Sequence, residues 1–306
     1  MSSVIVLDGG MGQELLRHTA STPTPLWSAD VMARDPRAVV DVHRSYIDAG
    51  AQVITLNSYS ATRCRLGQRG RGDEYESLQR VALELAARAR SEAGAADTVR
   101  IAGCLSPYLW SYRPELAPPF DELVPYYVET VELQAPGVDL FLAETMTSVD
   151  EGVAAAVAAG TAGLPVWVAW TLADDRSGHL RSGETIADAA AELRRRGVAV
   201  DGILVNCSLP ESIDAALPAL RRAGDEIGVR VGAYANGFGA IDADYTTDST
   251  VDALDRRADL DPAGYLRWIE RWVDGGATIV GGCCEIGPAH VRAIADRFRP
   301  DRTLSS

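Results

Sequence analysis

LFLAETMTSVDEGVAAAVAAGTAGLPVWVAW, residues 140–170, holds two short apolar runs with a helical pattern between them. Residues 140–143 and 166–170 are continuous apolar segments of strand length, as expected of strands buried on both faces of a parallel sheet. Across residues 148–159 apolar side chains recur at helical spacing, and Gly160 stands where such a helix would stop. Strand, helix and strand in that order make one parallel βαβ unit.

The alternation extends both ways along the chain. Further strand-like runs occupy residues 4–7, 53–56, 100–103, 202–205, 230–234 and 278–280. Helical patterns cover residues 37–49, 74–92, 185–196, 210–223, 262–273 and 288–298; the first puts Val39, Val40, His43, Tyr46 and Ile47 on one face. Gly50, Gly197, Gly224 and Gly275 are the other expected helix stops. Eight strands alternating with helices in 306 residues predict an α/β fold, a single (β/α)8 TIM barrel with residues 1–306 as one domain. An open doubly wound sheet is the competing architecture. It usually carries a G-x-G-x-x-G turn after the first strand, and Asp8-Gly9-Gly10-Met11-Gly12 lacks that spacing. Residues 239–261, long and acidic, read as a loop over the barrel mouth after strand seven.

Acidic residues outnumber basic ones, 43 to 29, for a net charge of −14. That excludes the basic footprint of a nucleic-acid binder and disfavours an anionic membrane surface. No stretch approaches the 18 or so apolar residues of a membrane span, and the first residues do not read as a secretion signal. Five cysteines is an odd number, and Cys283 and Cys284 are adjacent, so a disulfide framework is not expected. A reducing, cytoplasmic setting fits better.

In such barrels chemistry collects at the C-terminal ends of the strands. Read in order, those ends carry Asp8, Asn57, Ser106, Glu144, Thr171, Asn206-Cys207, Asn236 and Cys283-Cys284. The thiols are the most specific feature. Strands six and eight are separated only by strand seven, so Cys207, Cys283 and Cys284 can converge on one ion. Three thiolates with one exchangeable position make an open, catalytic type of zinc site. Gly281 and Gly282 are expected to free the backbone to aim both neighbouring sulfurs. The competing reading is a set of buried apolar cysteines, which is preferred for Cys64 and Cys104.

GGCC at residues 281–284 followed by GPAHV at 287–291 resembles the C-terminal signature of homocysteine S-methyltransferases. LVNCS at 204–208 is similar to their internal cysteine motif, and LDGGMGQEL at 7–15 to their opening motif; PLWSA at 25–29 and ITLNSYSAT at 54–62 match in style. The resemblance spans residues 4–298. It implies a (β/α)8 barrel, a three-thiolate zinc site with Cys207, Cys283 and Cys284 as ligands, and methyl transfer from a cationic onium donor to the small-molecule thiol homocysteine, giving methionine. S-methylmethionine or S-adenosylmethionine is the favoured donor. Gln13, Leu56-Asn57 and Met146-Thr147 depart from the commoner family pattern close to the expected substrate pocket.

An amino-acid acceptor presents an ammonium and a carboxylate. Asp8 and Glu144 are the candidates for the ammonium; the alternatives are a turn residue for Asp8 and a helix N-cap or a barrel-mouth salt bridge for Glu144. Thr55, Asn57 and Ser58 are candidates for the carboxylate. Asn206 either orients the thiolates or holds a turn, and Asn236 either lines the donor side or holds a turn. His290 is expected to be structural. Three other readings stand beside this one: a methyltransferase for another thiol or selenol, or one using a betaine-like or corrinoid-protein donor; a structural zinc protein with a fourth ligand; and a metal-free thiol enzyme, for which His290 is the only candidate base. The oligomeric state is open.

Overall fold

Every residue of the run 166–170 is buried, and side chains along each strand alternate between two apolar compartments. Leu7, Val53, Ala102, Leu142, Trp167, Ala169, Leu204 and Ile279 fill one of them. Val6, Ile54, Ile101, Phe141, Val168, Ile203, Val231 and Val280 belong to the larger one, packed against helices. A strand apolar on both faces needs both compartments, which is why these runs show no polar alternation.

The computed structural model describes residues 3–241, 245–246, 248–250 and 252–299. In chain order the elements are β1 (Ile5–Val6), α1 (Met11–His18), α2 (Trp27–Arg34), α3 (Pro36–Ala49), β2 (Val53–Thr55), α4 (Arg63–Gln68), α5 (Tyr75–Glu92), β3 (Arg100–Leu105), α6 (Phe120–Gln134), β4 (Leu140–Met146) and α7 (Val149–Gly160). Then follow β5 (Val166–Trp170), α8 (Ile186–Arg196), β6 (Gly202–Asn206), α9 (Pro210–Ile227), β7 (Arg230–Tyr234), α10 (Pro262–Asp274), β8 (Ile279–Val280) and α11 (Pro288–Phe298). The sheet order is β1-β8-β7-β6-β5-β4-β3-β2, all parallel. Its two edges meet at a parallel bridge between Leu7 and Val53, where Asp8 N donates to Val53 O (3.0 Å) and Gln52 N to Val6 O (2.7 Å). The sheet therefore closes on itself as a (β/α)8 barrel, as the eightfold alternation predicts. Among the described residues, no helix is long and apolar enough to cross a membrane.

The helices differ from expectation in three respects. α9 does not stop at Gly224 but runs on to Ile227, and Gly228 (φ 74°) caps it. Gly224 is small for another reason: a Cβ there would lie 2.3 Å from Val231 Cγ1 on β7. α6, unanticipated, carries Pro125 in its interior, a residue that removes a backbone donor from the helix. The short helices α1, α2 and α4 lie in connections at the β1 and β2 ends and were also not foreseen. Residues 242–244, 247 and 251 of the expected mouth loop lie outside the described residues.

Candidate active site

Cys207 immediately follows β6, and Cys283 and Cys284 follow β8 by a short turn. The turns after β6, β7 and β8 are tied together: Cys207 N donates to Tyr234 O (3.1 Å), Cys283 N to Ala235 O (3.0 Å) and Gly237 N to Cys284 O (2.8 Å). The Tyr265 hydroxyl, from α10, props the β8 turn by donating to Gly281 O (2.8 Å). Cys207 sits at φ 45°, an uncommon conformation for a residue with a Cβ. Gly281 and Gly282 act differently from expectation. Neither has a positive φ; each is small because the turns crowd together, a Cβ on Gly282 falling 2.1 Å from Ile286 Cγ2 and one on Gly281 falling 2.5 Å from Leu7 Cβ.

The three sulfurs lie within 4.8 Å of one another, Cys207 and Cys284 being 3.9 Å apart. The thiols of Cys283 and Cys284 directed at Cys207 hold its thiol well below the ordinary value, and the Tyr112 hydroxyl, 3.1 Å away, assists. That same contact with Cys207, with burial, pushes Cys283 and Cys284 up. Of the three, Cys207 is the thiol that ionises most readily. A cation among the sulfurs would favour loss of the other protons, and this donor set suits a soft metal such as zinc.

A cavity of about 200 Å³ opens beside the sulfurs. Asp8 and Glu144 line it from the ends of β1 and β4. Burial raises the Asp8 carboxyl to about 8, with Glu144 adding to the rise, although Thr55 N (2.8 Å) and Thr55 Oγ1 (3.4 Å) donate to it. Burial likewise raises Glu144 to about 7; the Cys104 thiol and the Tyr234 hydroxyl, each 3.4 Å away, donate to its two oxygens. Two carboxyls, Asp8 buried and Glu144 half-buried, thus line the cavity with no ion-pair partner among the described residues, and a cation placed between them would favour their ionised forms.

Of the residues singled out from the sequence, Asp8, Thr55, Asn57, Glu144 and the three cysteines border this one cavity. The Asn57 amide is engaged with Ser28 O (3.1 Å). Ser58 is not brought there: it accepts from Gln134 and lines a separate small pocket with Cys104. Asn206 is fully buried behind the wall, where it accepts from Thr145 N and donates to Thr145 Oγ1, both at 2.8 Å. Thr145 has φ 62°, so Asn206 secures the left-handed turn that presents Glu144. Asn236 is buried with its N–H on Ser208 O (3.2 Å), and its side-chain oxygen has no donor among the described residues. The His290 ring is fully engaged, accepting from Gly287 N and bonded to Leu260 O, which leaves it no role as a base for the cysteines.

Sequence reasoning missed an aromatic wall. Tyr59, Trp110, Tyr112 and Tyr245 line the cavity together with Arg65. The signal was present in SPYLWSY, residues 106–112, an aromatic cluster just beyond β3, although aromatic residues alone do not distinguish a pocket wall from core. Cys104 was expected only to pack, and its thiol instead reaches Glu144.

Residues 5–298 match the protein family described as homocysteine S-methyltransferase. The homocysteine S-methyltransferase of Escherichia coli (strain K12) is 30% identical, the alignment covering 96% of this chain and 95% of that protein. The selenocysteine Se-methyltransferase of Brassica oleracea var. italica is 27% identical over 98% of this chain and 90% of that one. Among solved structures, the metallated form of the homocysteine methyltransferase MmuM from Escherichia coli superposes with a TM-score of 0.79 at 27% identity, covering 97% of this chain and 96% of that one.

Proposed function

The chain belongs to the homocysteine S-methyltransferase family, and on that premise we propose that it moves a methyl group from an onium donor, S-methylmethionine or S-adenosylmethionine before others, to the thiol of homocysteine at a zinc ion held by Cys207, Cys283 and Cys284. The observation that carries this reading is the meeting of three thiols with the Asp8–Glu144 carboxyl pair on one cavity. Sulfurs around a tetrahedral zinc at about 2.3 Å lie about 3.8 Å from one another; the 3.9 Å between Cys207 and Cys284 is close to that spacing. Among the described residues no fourth His, Cys, Asp or Glu joins the group, which favours an open site over a structural one. A bound zinc would keep an acceptor sulfur in its thiolate form at neutral pH.

The chain's own residues do the rest. Asp8, fixed by Thr55, and Glu144, fixed by Tyr234 and Cys104, receive the acceptor's ammonium and so set its sulfur beside the cysteines. The aromatic wall excludes water from the donor. In the transfer, one S–CH3 bond forms as the donor's bond to the same methyl breaks, and the donor leaves as a neutral thioether; the thiol proton passes to solvent. Holding the two substrates in line is worth about 7–11 kcal/mol. Relatives named for selenocysteine give a selenol acceptor as the second reading. The same proposal treats residues 1–306 as one homocysteine-binding barrel domain working in the reducing cytoplasm, where free thiols persist.

The test measures zinc per chain and methionine formation for wild type and Cys207→Ser, purified under reducing, anaerobic conditions. About one zinc per chain and methionine from homocysteine and S-methylmethionine are expected, both lost in the variant. A wild type that stays free of zinc when zinc is supplied would refute the metal assignment, and one that methylates only a selenol would move the acceptor to the second reading.

A further inference from the structure

Four arginines crowd residues 63–71, and three of them face carboxylates: Arg63 meets Glu129, Arg69 meets Asp248, and Arg71 meets Asp30 and Glu74. Arg65, on α4, is 8% exposed and has no carboxylate partner among the described residues. Its Nε donates to Leu109 O (2.9 Å), and no described residue accepts from its two terminal amino groups. The guanidinium carbon lies 5.0 Å from the ring centre of Trp110 and 5.4 Å from that of Tyr59, and all three residues line the cavity. The indole N–H of Trp110 is buried beside it, also without an acceptor among the described residues. The other guanidinium near this wall, that of Arg181 over Tyr112, is already neutralised by Asp174 through two contacts of 2.9 Å.

A buried cation without a counterion is costly, and a planar guanidinium held by its Nε and stacked on rings keeps a two-pronged donor edge free for a carboxylate. We propose that Arg65 binds the carboxylate of the methyl donor, so that this enzyme takes onium donors of the amino-acid class and discriminates against uncharged analogues. The proposal rests on the methyl-transfer reading above.

The donor is favoured over the acceptor by position. Asp8 and Glu144, the groups suited to the acceptor, stand at strand ends next to the sulfurs, whereas Arg65 lies in the connection beyond β2. It is reached from Cys207 through Tyr112, then Tyr245 (ring centres 6.1 Å apart), then Trp110 (5.4 Å). With Arg65 and Arg181 already on the rings of Tyr59, Trp110 and Tyr112, this wall is better suited to the donor's anionic end than to its onium centre.

Calorimetric binding to the zinc-loaded protein tests this without turnover. The ligands are S-methylmethionine and its α-carboxamide, and the proteins are wild type, Arg65→Gln and Arg65→Lys, each checked for an unchanged thermal midpoint. Wild type should bind the acid at least tenfold more tightly than the amide, Arg65→Gln should lose that preference, and Arg65→Lys should keep part of it. Equal loss for acid and amide would reduce Arg65 to a structural role and overturn the proposal. So would weakened homocysteine binding with donor binding unchanged, which would assign the carboxylate to the acceptor. Absence of methyl transfer in the wild type with binding discrimination intact would instead count against the proposed reaction.

Discussion

Asp8 carries opposing demands. Its carboxyl is raised from 3.8 to about 8, chiefly by burial, so folding takes up a proton there as pH rises above the unfolded value. The stability of the ligand-free protein is accordingly full below about pH 4 as far as this group is concerned, and is lost as pH rises through 8. Asp8→Asn keeps an oxygen for Thr55 N and removes the charge. The zinc-free variant should therefore melt several degrees above wild type at pH 8.5 and show little difference at pH 4.5, while its KM for homocysteine rises at least tenfold. A variant that is destabilised equally at both pH values would show that Asp8 is a structural group. Asp8, Glu144 and the cysteines were legible in the sequence because a polar or thiol residue ending an apolar strand breaks the strand's own pattern. Ser58, Asn206 and Asn236 break it in the same way, yet they turn away from the cavity. Side-chain direction beyond a strand end depends on the turn, and Thr145 at φ 62° or Cys207 at φ 45° leaves no mark in residue type. Arg65 was illegible for a related reason: among neighbouring arginines, only the fold determines which one lacks a carboxylate.

At the scale of elements, the site depends on turns after β4, β6 and β8 that hold one another. Asn206, closing β6, makes two 2.8 Å hydrogen bonds to Thr145 in the irregular end of β4, where the register with β5 shifts. A β-branched residue at positive φ is held there only by its surroundings. Asn206→Ala leaves the buried Thr145 N–H unpartnered, at a cost of about 1–3 kcal/mol. The variant should unfold at lower urea and lose at least tenfold in kcat/KM with its zinc content near wild type, because Glu144 moves and the sulfurs do not. Loss of zinc in step with activity would instead make Asn206 a support of the thiols. Gly282→Ala distinguishes the neighbouring turn: a Cβ 2.1 Å from Ile286 Cγ2 cannot be accommodated without displacing the Cys283–Cys284 segment, so zinc and activity should fall together. The strands and most of the barrel helices were readable from periodicity. α6, with Pro125 in its interior, was not, although α9 was read despite Pro218, and Gly224 was misread as a stop because a glycine required by packing on β7 looks the same as one required by a left-handed cap.

On the scale of the whole molecule, eight alternations indicated a barrel, but no residue type marks the closing contact itself. It consists of the Leu7–Val53 bridge and of α3, which connects β1 to β2 and packs against α1, α2, α5 and α11. α11 is tied across this seam by Arg292 to Asp48 O (2.6 Å) and Arg299 to Gly50 O (3.1 Å). His43 sits in the middle of α3, wholly buried, and neither ring nitrogen has a partner among the described residues. Burial lowers its pKa from 6.5 to about 4. The folded state therefore holds it neutral; its contribution to stability is intact above pH 6.5 and disappears as pH falls through 4. At about 1.4 kcal/mol for each tenfold change in acidity, the loss over that window is about 3 kcal/mol, a large share of the stability of an ordinary domain. The seam that closes the barrel thus carries an acid-labile residue on its central helix. His43→Leu removes the titration and fills an apolar site. Urea unfolding of the zinc-free proteins at pH 7 and at pH 4.5 should find wild type losing more stability than the variant on acidification, by up to about 3 kcal/mol. Parallel losses in the two proteins would place the origin of acid unfolding elsewhere, in the carboxylates of the surface ion pairs.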